Sequence, residues 1–343
     1  MKSGCGSTRT FLVSLFVLII SLHIIFHAAK MSLYGGTYTT IVNKSTPRTI
    51  TIIVMVMGPK MTFPSWLSLL EQITGELQFV YASYDEEISP HEKRSSVSLN
   101  YETIFIPDTT WTEGRTLLGE KAIELEVHRK RQFDYWLYLD DDIVLVDKHN
   151  NDASPTQTLQ QFFDVLGADD IPSRVTTISP TSNHRKEVDA LVGVSNVDAM
   201  VNAFKREYVP YLQPYAVLPV GGSQWVSQLA VFCIMRECMP LSVLALPNLV
   251  GTNKLHRDYP RGMDMDQLEE AVKNNYGGYF DQCRRNFSAD VRLYEQQQPK
   301  TQSVDSFHEL QAVIPEPELS KPSCRFLKDR YEKWEKKVIQ RIS

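Results

Sequence analysis

Three consecutive aspartates, Asp140-Asp141-Asp142, stand between two apolar runs, Tyr135-Trp136-Leu137-Tyr138-Leu139 and Ile143-Val144-Leu145-Val146. Carboxylates this close repel one another, and a divalent cation held by hard oxygen ligands offsets that repulsion directly. Because side chains alternate along a strand, Asp140 and Asp142 are expected on one side and Asp141 on the other, unless a turn begins here. Mn2+ or Mg2+ suits such ligands and keeps positions open for phosphate oxygens. The competing reading is a solvated acidic loop, which fits poorly with apolar residues joined to both ends of the triplet.

Two further segments have compositions suited to binding. Thr112-Glu113-Gly114-Arg115-Thr116 lies at a helix start, where free N–H groups and Arg115 could receive phosphate or pin an acidic loop; a surface ion pair is the alternative for Arg115. Val220-Gly221-Gly222-Ser223-Gln224-Trp225 is a glycine-rich turn in which Gly222 admits a sugar closely and Trp225 stacks on it, although Trp225 equally suits a core.

The elements that must position these residues alternate. Thr51–Met57 is a continuous apolar run ended by Gly58-Pro59, as in a strand buried on both faces. Helical spacing follows at Trp66, Leu67, Leu69, Leu70 and Ile73, then strands at 77–81 and 103–107. Thr110 and Glu113 have capping-box spacing before a helix over 114–132, which leads into the strand 135–139 and the triplet. Strands are expected near 176–179 and 190–194, a helix over 197–208, and an amphipathic helix from Arg325 to Ser343. Such alternation predicts an α/β sheet with ligands at the carboxyl ends of its strands.

Phe11 to Ala29 contains nineteen residues without an acid or a Lys/Arg, enough helix to cross a bilayer. Lys2 and Arg9 precede it, which keeps residues 1–10 in the cytosol and sends the remainder across. A cleaved signal peptide is the alternative, but the run exceeds the usual apolar region and His27 occupies a position where cleavage wants a small residue. Residues 31–49 read as a stem and 50–343 as the lumenal domain. Two sequons beyond the span, at Asn43 and Asn286, suit a lumenal chain, as does the even set Cys233, Cys238, Cys283 and Cys324, with Cys5 on the cytosolic side; disulfides or buried thiols would both account for the four. At 43% hydrophobic and 22% charged residues the 343-residue chain is ordinarily globular, and its net charge of -5 argues against a nucleic-acid partner.

An N-terminal anchor, a short stem, a βαβ-type first half and a hydrophobic strand running into Asp-x-Asp together resemble a Golgi-type glycosyltransferase of the GT-A fold, over roughly residues 50–265. The resemblance implies a GT-A-like, Rossmann-type, mostly parallel sheet flanked by helices, with one N-terminal transmembrane helix. It implies a nucleotide-sugar donor bound through Mn2+ or Mg2+, with Asp140 and Asp142 as metal ligands and Asp140 and Asp141 near the nucleotide. Within that family a late histidine completes the metal shell, for which His256 is the candidate, with Arg257 and Arg261 on the diphosphate. Arg115 resembles the family's basic residue near the nucleotide or sugar, and Gly58, Lys60 and Asp85 would lie near the nucleotide. An inverting enzyme needs a general base, for which Asp264, Asp266 and Glu269 are available; a retaining one does not. The expected activity is sugar transfer, as a hexosyltransferase, to a glycan, protein or lipid acceptor at the Golgi or endoplasmic reticulum membrane. The alternatives are a non-catalytic, metal-dependent glycan-binding protein and a phosphotransferase using the same carboxylates.

Overall fold

The computed structural model describes residues 49–89, 99–147, 150, 152–167, 175–180, 192–193, 200–215, 243–253, 270, 273–279 and 319–342. All of them belong to one compact unit, Pro47–Ser343. The expected anchor at 11–29 and nearly all of the stem lie outside the described residues, among which no helix is long and apolar enough to cross a membrane.

Among the described residues nine strands form one sheet: β1 (Thr51–Gly58), β2 (Glu76–Ser83), β3 (Asn100–Phe105), β4 (Tyr135–Asp140), β5 (Ile143–Asp147), β6 (Val175–Pro180), β7 (Val192–Gly193), β8 (Val201–Lys205) and β9 (Val243–Asn253). Their order is β3-β2-β1-β4-β8-β6-β9-β5, with β7 also on β9. The first four strands are mutually parallel. Beyond them β8 runs antiparallel to both neighbours, β6 and β9 run parallel to each other, and β5 and β7 oppose β9. Six strands therefore share one direction, giving the α/β sheet that the alternation predicts, mixed but with most strands running one way.

Among the described residues, helices α1 (Phe63–Leu70), α2 (Trp111–Arg129), α3 (Pro155–Leu166), α4 (Val209–Leu212) and α5 (Pro322–Ile342) accompany the sheet. They cover both faces, which is why β1 is apolar without alternation from Ile52 to Met57. Ile53 and Met55 join Val80, Trp136 and Tyr138 in a core shared with α2 and α5. Ile52, Val54 and Val56 join Phe79, Tyr81 and Leu137 in a second core shared with α1 and α3. The α2 capping box forms as its spacing predicts: the Thr110 hydroxyl accepts from Glu113 N–H and the Glu113 carboxylate accepts from Thr110 N–H.

Two expectations change. The helix expected over 197–208 is replaced, at Val201–Lys205, by strand β8, buried on both faces between β4 and β6. A strand buried on both faces has no two-residue alternation to display, and Val197, Met200, Val201 and Phe204 mimic helical spacing. Helix α3 has no counterpart among the expected elements, although Ser154 and Gln157 form a full capping box around Pro155. The C-terminal helix is confirmed as a packed surface helix: Leu327, Tyr331 and Val338 are buried, and Trp334 Nε1 donates to Glu120 on α2 at 3.2 Å. Cys324 is buried, and every other cysteine lies outside the described residues.

Candidate functional site

Strand order places the acidic triplet. From β1 the chain builds β2 and β3 outward on one side and then returns to add β4 on the other. This makes the carboxyl ends of β1 and β4 the point where strand order reverses, the crevice in which open α/β sheets bind ligands. Met57 pairs with Asp140 across that crevice, and Gly58 pairs with Ser83 at the end of β2. Gly58, Asp85 and Asp140–Asp142 are thereby brought to one end of the sheet.

Asp140 is the last residue of β4, and its N–H still donates to Met200 O at 3.0 Å. Asp141 and Asp142 form a turn before β5, so strand alternation does not extend through the triplet. Asp140 Oδ1 accepts from Arg115 Nη2 at 2.9 Å and from Trp111 Nε1 at 3.4 Å. The Arg115 side chain is 2% exposed, its guanidinium lying over Trp111 at 4.0 Å and Tyr138 at 5.1 Å from the ring centroids. Arg115 thus pins the acidic strand end rather than facing solvent from the start of α2. Tyr215 meets Tyr138 edge-on and Trp111 at a tilt and closes this aromatic box; burial raises its phenol pKa, against the opposing pull of Arg115.

The other side of the turn rests on the segment after β1. Trp66 Nε1 on α1 donates to Asp141 O at 3.0 Å. Gly58 has no room for a side chain: a Cβ there would overlap the Asp141 Cβ, with Tyr81 Oη 2.6 Å and Asp141 Cγ 2.7 Å away. Tyr81 Oη in turn donates to Pro59 O at 2.7 Å, and burial drives its phenol pKa far above the ordinary value, with Asp141 adding to the effect.

Asp85 joins the loops after β1 and β2. Its Oδ1 accepts from Lys60 N–H at 2.7 Å, Ser83 Oγ at 2.9 Å and Glu86 N–H at 2.8 Å. Slight burial works against ionisation, but these donors outweigh it and hold the carboxyl below its ordinary value. A depressed folded-state pKa stabilises the fold above the unfolded-state value and loses that contribution as pH falls through the folded one. Asp85→Asn is therefore expected to lower stability at neutral pH, with the gap to wild type closing below about pH 4, where the unfolded carboxyl protonates. Urea unfolding at pH 7 and pH 3 measures this, and a gap independent of pH contradicts it. Lys60 itself points its Nζ to Glu86 at 3.4 Å.

Asp140, Asp141 and Asp142 supply hard oxygens of the kind Mg2+ or Mn2+ prefers. Among the described residues no three acidic, histidine or cysteine side chains group closely enough to hold an ion by themselves. The donor set thus fits an ion that takes one or two protein carboxylates and completes its shell from ligand oxygens. His256, Arg257, Arg261, Asp264, Asp266, Glu269, Gly222 and Trp225 lie outside the described residues. Sequence reasoning read Trp66 only as a helix-face residue and gave Trp111 and Tyr215 no role. The available signal was that a buried indole N–H needs an acceptor.

The sequence matches no protein-family model and no curated protein. Among solved structures it is similar to Staphylococcus aureus TarS 1-349, with 13% identity, 85% of this chain and 92% of that one covered, and a TM-score of 0.38. It is also similar to the mannosyltransferase PcManGT from Pyrobaculum calidifontis, solved in complex with GDP-Man and Mn2+, with 10% identity, 96% and 97% covered, and a TM-score of 0.40. The glycosyltransferase GlyE of Streptococcus pneumoniae TIGR4 matches 46% of this chain and 34% of its own at 13% identity and a TM-score of 0.27. These neighbours include glycosyltransferases; at such scores the likenesses add nothing to what strand order and site geometry already show.

Proposed function

We propose that this protein is a metal-dependent glycosyltransferase, a hexosyltransferase that moves a sugar from a nucleotide-sugar to a glycan, protein or lipid acceptor. We place it in the secretory pathway, anchored by residues 11–29 with residues 50–343 on the lumenal side of the Golgi or endoplasmic reticulum membrane. The observation that carries the reading is the acidic turn Asp140–Asp142 at the point where strand order reverses, between the ends of β1 and β4.

In the transfer, the bond from the anomeric carbon to the diphosphate oxygen breaks and the diphosphate leaves with the electron pair. A bond forms from the acceptor oxygen to that carbon, and the acceptor proton passes to a base, the role given to Asp264 or Asp266 if the reaction inverts. Asp140 and Asp142 would hold Mn2+ or Mg2+, with His256 as a further ligand; a cation there supplies neutralising charge to the leaving diphosphate. Arg115 keeps Asp140 oriented by its 2.9 Å ion pair. Gly58, Lys60 and Asp85 shape the nucleotide side of the crevice, while Gly222 and Trp225 receive the acceptor sugar.

Calorimetric binding of UDP and GDP, with and without Mn2+, tests this. Wild type is expected to bind one of them more tightly with Mn2+, and Asp142→Asn is expected to lose that increment. An unchanged increment in the variant removes the triplet from the site. Calcium binding with no nucleotide binding would favour the non-catalytic alternative.

A further inference from the structure

We infer that Trp66 is a positioning residue for the acidic turn, acting through the Asp141 carbonyl to set the direction in which Asp142 leaves the chain. The inference rests on the reading that this turn binds a cation.

At the end of β4 the ladder supplies Asp140 N–H with Met200 O, and the chain then departs from the sheet. Asp141 O, beyond the ladder, receives the Trp66 indole N–H at 3.0 Å from α1. Trp66 is 5% exposed, packed among the buried residues that include Phe63, Leu67 and Tyr81, so its indole is held by its surroundings and not by the turn alone. The bonded carbonyl belongs to the peptide linking Asp141 to Asp142. Fixing that peptide plane fixes the start of the Asp142 side chain, because only two backbone dihedrals per residue are soft.

A second indole braces the other side. Trp111 Nε1 and Arg115 Nη2 both reach Asp140 Oδ1 from α2. The turn is thus held between the helix that follows β1 and the helix that follows β3, by a backbone contact on one side and a side-chain contact on the other. Partners that orient metal ligands in this way influence affinity without touching the ion.

The test is Trp66→Phe in the full chain, which keeps most of the ring and removes the donor. Mn2+ affinity is read from the electron paramagnetic resonance signal of free Mn2+ in the presence of UDP or GDP, whichever the wild type binds. A loss on the order of tenfold to a hundredfold is expected, with nucleotide affinity in the absence of metal unchanged. Leu166→Ala, which damages the packing of α3 near Ile50, at the end of β1 away from the turn, is expected to lower the unfolding midpoint and leave Mn2+ affinity alone. Equal Mn2+ affinity in wild type and Trp66→Phe, or an equal loss in Leu166→Ala, overturns the inference. A measurement on wild type guards against a variant that fails to fold: Mg2+ with nucleotide should shift the Trp66 indole proton resonance, and an unmoved resonance counts against the role. If Asp142→Asn loses Mn2+ while Trp66→Phe retains it, only this inference fails. If wild type itself shows no metal-dependent nucleotide binding, the functional reading fails and takes this one with it.

Discussion

Arg206→Ala is expected to destabilise the fold by about 3–5 kcal/mol, the range for breaking a buried ion pair from one side. Arg206 follows β8, and its Nε donates to Glu126 Oε1 at 2.8 Å and Oε2 at 3.0 Å. The two side chains are 9% and 7% exposed. Burial alone would lower the Arg206 pKa, but Glu126 outweighs it and raises the value. Without the guanidinium, the donors that Glu126 keeps among the described residues are neutral, Trp136 Nε1 at 3.0 Å and Phe133 N–H at 3.2 Å, and do not compensate a buried charge. The effect spreads because Arg206 also reaches Glu335 on α5 at 3.5 Å, and Tyr331 donates to the same carboxylate at 2.8 Å. Urea unfolding checks the value, and the pairing itself is read from the double variant Glu126→Gln/Arg206→Met, whose cost should be well below the sum of the single ones. A cost for Arg206→Ala of under about 0.5 kcal/mol, the range of an ordinary surface change, would show that the pair is solvated in solution.

Gly58→Ala is the second large effect, and it acts on stability and site together. The added methyl would overlap the Asp141 Cβ and approach Tyr81 Oη at 2.6 Å. Tyr81 cannot yield easily, since its hydroxyl is tied to Pro59 O and Thr62 Oγ1 and its ring is buried against Phe63 and Phe79. The turn is the part that must move. Overpacking of this kind costs about 1–3 kcal/mol, and displacing Asp141 pulls its carbonyl away from Trp66. Gly58→Ala should therefore lower the unfolding midpoint and weaken Mn2+-dependent nucleotide binding in the same protein. Intact metal dependence in a destabilised variant would show that the turn relaxes without moving its carboxylates.

Much of the first half was legible in residue pattern. The unbroken apolar run of β1, the aromatic β4 ending in aspartate and the Thr110/Glu113 cap each state their element locally, and together they place the triplet at a strand's carboxyl end. What was not legible depended on partners distant in the chain. Val201–Lys205 is a strand because β4 and β6 flank it, and nothing within five residues expresses that. Arg115 was legible as a basic residue on a helix start, but its burial between Trp111 and Tyr138 depends on α2 packing across β4. Trp66 meets Asp141 only because β1 and β4 are neighbours. Helix α3 is the exception, since its capping box and N-terminal proline were local signals that went unused.

The jump from β4 in the middle of the sheet to β5 at its far edge has a consequence for the order of assembly. Ile143, directly after the triplet, pairs with Asn253, and Asp140 N–H waits for Met200. Contacts so far apart in sequence form slowly, because the intervening chain must be closed before they reward it. A nascent chain emerging from its amino end can complete β1 to β4 and place the carboxylates at a strand tip, yet the strand leaving that tip has no strand to pair with until β9 is made. The acidic turn belongs to the earliest-made part of the sheet and is among the last places to be finished.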